Sequence, residues 1–522
     1  MNINQWKKPS SSSINKIIKP TVSSSSLESS FKKLSSSSLE SNKQINEISI
    51  EKKKVNKQQQ QQTLPSESWA PIQIDQCLNG MHEHSAPCLH KHYLMKNNQT
   101  NNYTNLERGI ELIYHSFKIK APKFYNNEQK MEWMEKSKRI KMMKWAPDLE
   151  WAIYFSTNGQ ILVFNNVYID AIIDSDKWSA GSCMGDSHSH LPFFKTKPSM
   201  KTFIRKYNHL PNNLSYLKNP NVKVTTGPND VKTVEIQLEE DYERLDTVIL
   251  CTSPDSYSFQ HFLDRVTVTW SQAMIYQQDE SSPNGSTSIL SGLQSYNPVI
   301  KQFYSFMVDK HYHQQSIHAK KLIYSCRSPL VHPFTTQRVY DEMLRKLNAK
   351  FTIPFEKRRK IVYFTRQDAD TVNIGRRIIN ETLLIDYLNK ELKKRGRNEE
   401  LIIFESYDYP NLQSLFKLFN DTKLIFGPHG ATFYNSRFAP KQLAVLEILP
   451  SGGFYYNGFW EQASLLEQTY GVYYADKVNK KNDMIINDIP NFTKYLFDLI
   501  EEAQQRKPKD VLQKYYSWNV NV

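Results

Sequence analysis

Between residues 358 and 475, short apolar runs alternate with amphipathic stretches, and this alternation restricts the fold more than any other feature of the 522-residue chain. Ile361-Val362-Tyr363-Phe364, Leu401-Ile402-Ile403-Phe404, Lys423-Leu424-Ile425-Phe426, Ala444 to Leu449 and Val472-Tyr473-Tyr474 read as strands. The stretch 377–395 carries apolar residues at Ile378, Leu384, Ile385, Leu388 and Leu392 and ends in Lys393-Lys394-Arg395-Gly396. Cations on a last turn followed by glycine mark a helix C-terminus. A Pro410-initiated helix to Asn420 and a helix over 459–469 complete the series. Strands joined by helices through short turns pair in parallel with right-handed crossovers, so a Rossmann-like layered domain is expected over 355–480. The stretch 485–522 reads as a C-terminal helix and tail.

Upstream the pattern is looser. Residues 1–68 are low in complexity: Ser23 to Ser29 recurs as Ser35 to Ser41, and Gln58 to Gln62 is a homopolymer. Such a segment cannot bury enough apolar surface to offset its ordering entropy, so a disordered tail is expected. From Trp69 to about 350 a second α/β domain is expected, with strands at 161–164, 167–169, 222–224 and 247–250 and an amphipathic stretch over 259–276. The Ser-, Asn-, Gly- and Pro-rich stretch 277–298 reads as a loop or insertion. No run approaches 18 apolar residues, so no membrane span is expected. The N-terminal Met1 to Pro9 is basic with no apolar run behind it, which gives no signal peptide in the chain as it stands.

The net charge is +14, which invites a nucleic-acid reading, but its distribution argues otherwise. The tail carries +6, from eleven Lys against five Glu, and 357–377 carries +5, from seven Lys and Arg against Asp368 and Asp370. The cluster Lys357-Arg358-Arg359-Lys360 precedes a strand and is expected to be solvated. Arg366 follows that strand, at the end where parallel sheets bind ligands. Basic and aromatic residues are not interleaved over 358–475 as a nucleic-acid surface would need.

Three features converge on that end of the sheet. Gly427-Pro428-His429-Gly430-Ala431 is a tight turn from a strand into a short helix, which lets a ligand approach backbone amides. Arg366, with Arg376 and Arg377 at the expected start of the next helix, opposes the helix dipole, a cost that a bound anion would relieve. Glu447 sits alone in an apolar strand and needs partners, either sugar hydroxyls or a salt bridge.

These residues carry a resemblance. Tyr363-Phe364-Thr365-Arg366, Arg376-Arg377-Ile378-Ile379-Asn380-Glu381, Gly427 to Ala431, Phe438-Ala439-Pro440 and Val445-Leu446-Glu447-Ile448 with Pro450 together resemble glycosyltransferase family 61 in order and spacing. The resemblance implies a GT-B-like fold of two Rossmann-like domains facing across a cleft. It also implies an inverting transfer of GlcNAc or a pentose from a UDP-sugar to a protein or glycan hydroxyl, with no metal or other cofactor required. By it, Arg366, Arg376, Asn380, Glu381, Gly427, His429, Gly430, Ala431 and Glu447 fall on the donor-binding pattern, with Glu447 expected at the ribose. Family members often carry a His-x-x-x-Asp at a helix start in the N-terminal domain. Here His261 and Asp264 are three apart, with Gln260 where that His would stand, and either offset keeps both side chains on one helical face. They are the candidates for the base.

Other readings use other residues. Asp174-Ser175-Asp176 and Asp368-Ala369-Asp370 are Asp-x-Asp triplets that a metal-dependent transferase would place at a strand end. Cys77, His82, His84, Cys88, His90 and His92 lie within sixteen residues, dense enough for zinc, or Cys77 and Cys88 form a disulfide if the chain is luminal. The displaced His/Asp pair is compatible with an inactive member that acts as a binding scaffold. The family works in the secretory pathway, whereas the visible sequence also fits the cytosol.

Overall fold

The computed structural model describes residues 65–89, 105–169, 197–198, 200–207, 222–239, 241–251, 257–279, 286–291, 295, 297–313, 315–367, 375–452 and 454–516. Apart from Pro65–Trp69, the tail therefore lies outside the described residues. Those five form a 3₁₀ turn, held where the Ser66 N–H donates to Asp341 Oδ2 at 3.0 Å. The described residues thus begin inside the expected tail.

The N-terminal half is built on a seven-stranded mixed sheet. Across it run Ile72–Ile74, Leu106–Tyr114, Thr157–Ile169, Ile317–Cys326, Glu243–Cys251, Thr287–Ser291 and Lys310–His313. The last four are parallel, and the first three join them as an antiparallel edge. Two expectations change. Thr287–Ser291 was expected within a loop, yet it is a sheet strand between Glu243–Cys251 and Lys310–His313. Its Thr-Ser-Ile-Leu-Ser sequence reads as polar, but the ladder satisfies its backbone and the fold buries Thr287, Ser288 and Ile289. Val222–Thr226 belongs instead to a separate three-stranded antiparallel sheet.

The C-terminal sheet places its strands in the order Glu400–Phe404, Lys360–Phe364, Thr422–Pro428, Ala444–Pro450 and Thr469–Lys477, all parallel. In chain order this is 2-1-3-4-5, a doubly wound sheet whose direction of growth reverses between the first and third strands. Side-chain alternation covers both faces. Ile361, Tyr363, Leu424 and Phe426 pack with the helices Glu381–Arg395 and Ile489–Gln505. Val362, Phe364, Ile425 and Val445 pack with Leu412–Asn420 in a core that continues into the N-terminal half through Trp270 and Ile249.

Short segments are exchanged between the halves. Lys123–Phe124 adds in parallel to Thr469–Lys477, and Leu512–Lys514 pairs with Phe117–Lys120. Residues 63–522 form one compact unit. The class is mixed α/β, as expected from the sequence.

The Lys357–Lys360 cluster is not uniformly solvated. Arg358 is buried, with Nε donating to Ile353 O at 3.1 Å and Nη1 to the carbonyls of Gln442 and Thr422. Burial pushes its guanidinium down to about 10. It ties together the starts of neighbouring strands, a role its position in a charge run concealed.

Candidate functional site

The strands Lys360–Phe364 and Thr422–Pro428 lie side by side at the reversal of strand order, so their C-terminal ends open the crevice where such sheets bind ligands. Thr365-Arg366 leaves one strand and His429-Gly430 the other. Two glycines permit this closeness. Gly427 has φ +156°, and a Cβ there would stand 2.5 Å from Phe364 O. A Cβ on Gly430 would stand 2.7 Å from Arg366 Nη1.

Arg366 is anchored by its Nε to Gly375 O at 2.9 Å and by Nη1 to His429 O at 3.3 Å. Burial, and then the neighbouring Arg376 cation, push its pKa down to about 10. Arg376 occupies a left-handed turn (φ +61°) ahead of the helix, which begins at Glu381 rather than near 377. Burial lowers the Arg376 pKa as well, with Glu447 opposing, and no carboxylate among the described residues forms an ion pair with it. Arg377 turns away into Asp483 at 3.2 Å and is structural. Arg377 side-chain and backbone hydrogen bonds hold the Asp483 carboxyl down at about 2, against the opposing effect of burial.

Asn380 and Glu381 support the arginines from below. The Asn380 side chain exchanges hydrogen bonds with the Ile486 backbone at 2.9 and 3.2 Å, pinning the helix start. Glu381 accepts from Tyr363 OH at 2.7 Å and from Thr365 Oγ1 at 2.9 Å, fixing the residue before Arg366. Ala431 opens the 3₁₀ helix Ala431–Phe438.

Glu447 is fully buried, and both its oxygens are engaged: Oε1 by His429 Nδ1 and Oε2 by Tyr470 OH. Through Oε1, Glu447 holds the His429 ring in place. That ring is enclosed by Phe454, Tyr456 and Phe459 at centroid distances of 5.0, 4.8 and 5.1 Å. With Nδ1 committed, Nε2 is the nitrogen left for a ligand.

The N-terminal half reaches the same cage. Ser258 caps a helix start that passes into a π-helical turn, Phe262–Val266, a distortion often found at functional sites. His261 Nδ1 lies 3.4 Å from Asp264 Oδ1, while Asp264 Oδ2 accepts from Tyr434 OH at 2.9 Å. Gln260 Nε2 donates to Tyr456 OH at 3.3 Å. The fold thus brings His261 and Asp264 to the aromatic shell of His429, although more than 160 residues separate them in sequence.

Among the rival sites, Cys77 and Cys88 are joined as a disulfide and their thiolates are not available to zinc. His90, His92, Asp174, Asp176, Asp368 and Asp370 lie outside the described residues. Sequence reasoning missed Tyr470, Tyr456, Arg437 and Glu461. Glu461 carried a usable signal, a lone carboxylate beside Phe459-Trp460 in a helix, but the tyrosines carried none.

A doubly wound sheet with two clustered arginines at its switch point defines an α/β protein that concentrates positive charge where such sheets bind ligands. The family model described as Glycosyltransferase 61 matches residues 259–446, and through this segment the chain belongs to glycosyltransferase family 61. The matched segment includes His261, Asp264, both arginines and the glycine turn, and it stops one residue before Glu447. A search of curated proteins found no match. Among the described residues no helix is long and apolar enough to cross a membrane.

Proposed function

We propose that this family 61 glycosyltransferase performs an inverting transfer of GlcNAc or a pentose from a UDP-sugar to a hydroxyl of a protein or glycan. The observation that carries this reading is the Arg366–Arg376 pair. Two half-buried guanidinium groups repel each other at the switch point, and a diphosphate placed between them would relieve both the repulsion and the desolvation.

Direct displacement needs stabilisation of the departing diphosphate and a base for the acceptor hydroxyl. Arg366 and Arg376 supply the first without requiring a metal. His429 offers Nε2 to the phosphate or the sugar. The His261–Asp264 pair is placed to take the acceptor proton, directly or through one water. On this reading the two halves work as the facing domains of a GT-B-like enzyme, with the acceptor on the N-terminal side. The Cys77–Cys88 disulfide favours an oxidising secretory compartment over the cytosol.

The test is hydrolysis of a UDP-sugar panel by the wild type and by Arg366→Ala, with and without EDTA. Arg366→Ala is expected to lose most donor-dependent turnover, and EDTA to leave the wild type active. Wild-type rates in the variant would remove the arginine assignment. Loss in EDTA with recovery in manganese would favour the Asp-x-Asp reading.

A further inference from the structure

The turn that carries His429 also reaches the acceptor-side pair. Directly after Gly430 the chain enters the 3₁₀ helix Ala431–Phe438, where the Phe433 N–H donates to Gly430 O at 3.1 Å. Gln462, on the helix Gly458–Leu465, fixes the far end of that segment. Its Nε2 donates to Ser436 Oγ at 2.6 Å, and its Oε1 accepts from Arg437 Nε at 2.9 Å. Tyr434 lies midway along and is buried. Its ring packs against Phe459 at a centroid distance of 5.4 Å, and Phe459 is also one of the rings that enclose His429. The Arg437 guanidinium lies 5.6 Å from the Tyr434 centroid. With the ring so confined, the hydroxyl has a fixed position, and it donates to Asp264 Oδ2 at 2.9 Å. Burial, and then the Asp264 carboxyl, push the phenol well above its ordinary pKa, so it keeps its proton and stays a donor.

Asp264 is shared between the two halves. Tyr434 takes Oδ2, while Oδ1 lies 3.4 Å from His261 Nδ1 and 3.5 Å from Arg265 Nε. The Asp264 side chain is 12% exposed and that of His261 29%. The imidazole is therefore the member of the pair that a substrate meets, and the carboxyl stands behind it. A carboxyl orients an imidazole only if it is itself held, and here the hold comes from the opposite half of the molecule.

We propose that Tyr434 is a positioning residue for the acceptor base. Tyr434 fixes Asp264, and Asp264 fixes the His261 ring, to which the proton transfer falls. Because Tyr434 rides on the segment that starts at the glycine turn, the same element sets the base and the donor site against each other. The assignment rests on the glycosyltransferase reading, with His261 and Asp264 as its base pair.

The test follows hydrolysis of UDP-GlcNAc, UDP-xylose and UDP-arabinose, with water as the acceptor. The full-length wild type, Tyr434→Phe, Asp264→Asn and the double variant are compared, and calorimetry gives the UDP affinity of each. Tyr434→Phe removes one oxygen and leaves the ring on Phe459, so UDP affinity and KM should stay within about twofold of the wild type. Its kcat should fall about 10- to 100-fold, as expected for a misplaced catalytic group. The double variant should be no slower than Asp264→Asn, because Tyr434 acts through that carboxyl. An unchanged kcat in Tyr434→Phe overturns the proposal. So do losses that multiply in the double variant, or a UDP affinity that falls beyond twofold, which would mark a part of the donor site. Wild-type turnover in Asp264→Asn removes the base pair and the role of Tyr434 with it, while leaving the transferase reading in place. A wild type that hydrolyses none of the three donors overturns the transferase reading, and the positioning role falls with it.

Discussion

Gly430→Ala tests the construction of the proposed donor site without removing a charge. Gly430 has extended backbone that any residue adopts, so the substitution strains nothing locally. Its new Cβ would stand 2.7 Å from Arg366 Nη1, about 0.7 Å inside the 3.4 Å at which ordinary contact begins. The guanidinium is the far end of a flexible side chain, so it yields at little cost, and folding stability should change by less than about 1 kcal/mol. A displacement of that size is enough to misalign a charge-assisted hydrogen bond to phosphate. Such a bond contributes about 1.5–3 kcal/mol, which corresponds to a roughly 10- to 150-fold weaker UDP affinity. Calorimetric UDP titrations of the wild type, Gly430→Ala, Arg366→Ala and the double variant form a cycle. If Gly430 acts through Arg366, the double variant binds no more weakly than Arg366→Ala alone. Fully additive losses, or an unchanged affinity in Gly430→Ala, would refute the reasoning.

Three further outcomes are expected. Glu461 holds its proton more tightly folded, with burial raising its pKa from 4.5 to about 7; its stabilising effect is complete below about pH 4.5 and is lost as pH rises through 7, by about 3 kcal/mol in all. Urea denaturation of Glu461→Gln across pH 4.5–8 should show that slope removed, and an unchanged slope would contradict the assignment. Glu447→Gln, which weakens the partnership with His429 and Tyr470, should cost about 1–3 kcal/mol in the same assay. Replacing Cys77 and Cys88 together by Ser opens a loop whose ends are 11 residues apart; about 3 kcal/mol of stabilisation should be lost, first as faster proteolysis of 77–89.

The five parallel strands of the C-terminal sheet were legible because each is a short apolar run, four of them buried on both faces, and the glycine turn was legible because two glycines so close mark a place where side chains would be in the way. Helix boundaries were less so. Charges at 376–377 suggested a helix start, but Arg376 occupies a left-handed turn and Arg377 is drawn off by Asp483, more than a hundred residues away. Thr287–Ser291 was hidden because its alternation is masked by small polar residues whose burial depends on two partner strands. Glu447 announced itself as a carboxylate in an apolar strand, yet its partner could have been a ligand or the protein, and only the placement of His429 and Tyr470 decided between them.

By itself, the sequence determined the alternation of strand and helix, the site of the tight turn and the presence of cations where an anion would sit, since all three depend on neighbours a few residues away. The tertiary structure alone decided the 2-1-3-4-5 strand order that sets Arg366 against Gly430, the convergence of His261 and Asp264 on the His429 cage, and the hydrogen bond that Tyr434 donates to Asp264. Those arrangements depend on contacts between residues tens to hundreds apart, and the energy that fixes them comes from a core shared by both halves, which no local pattern encodes.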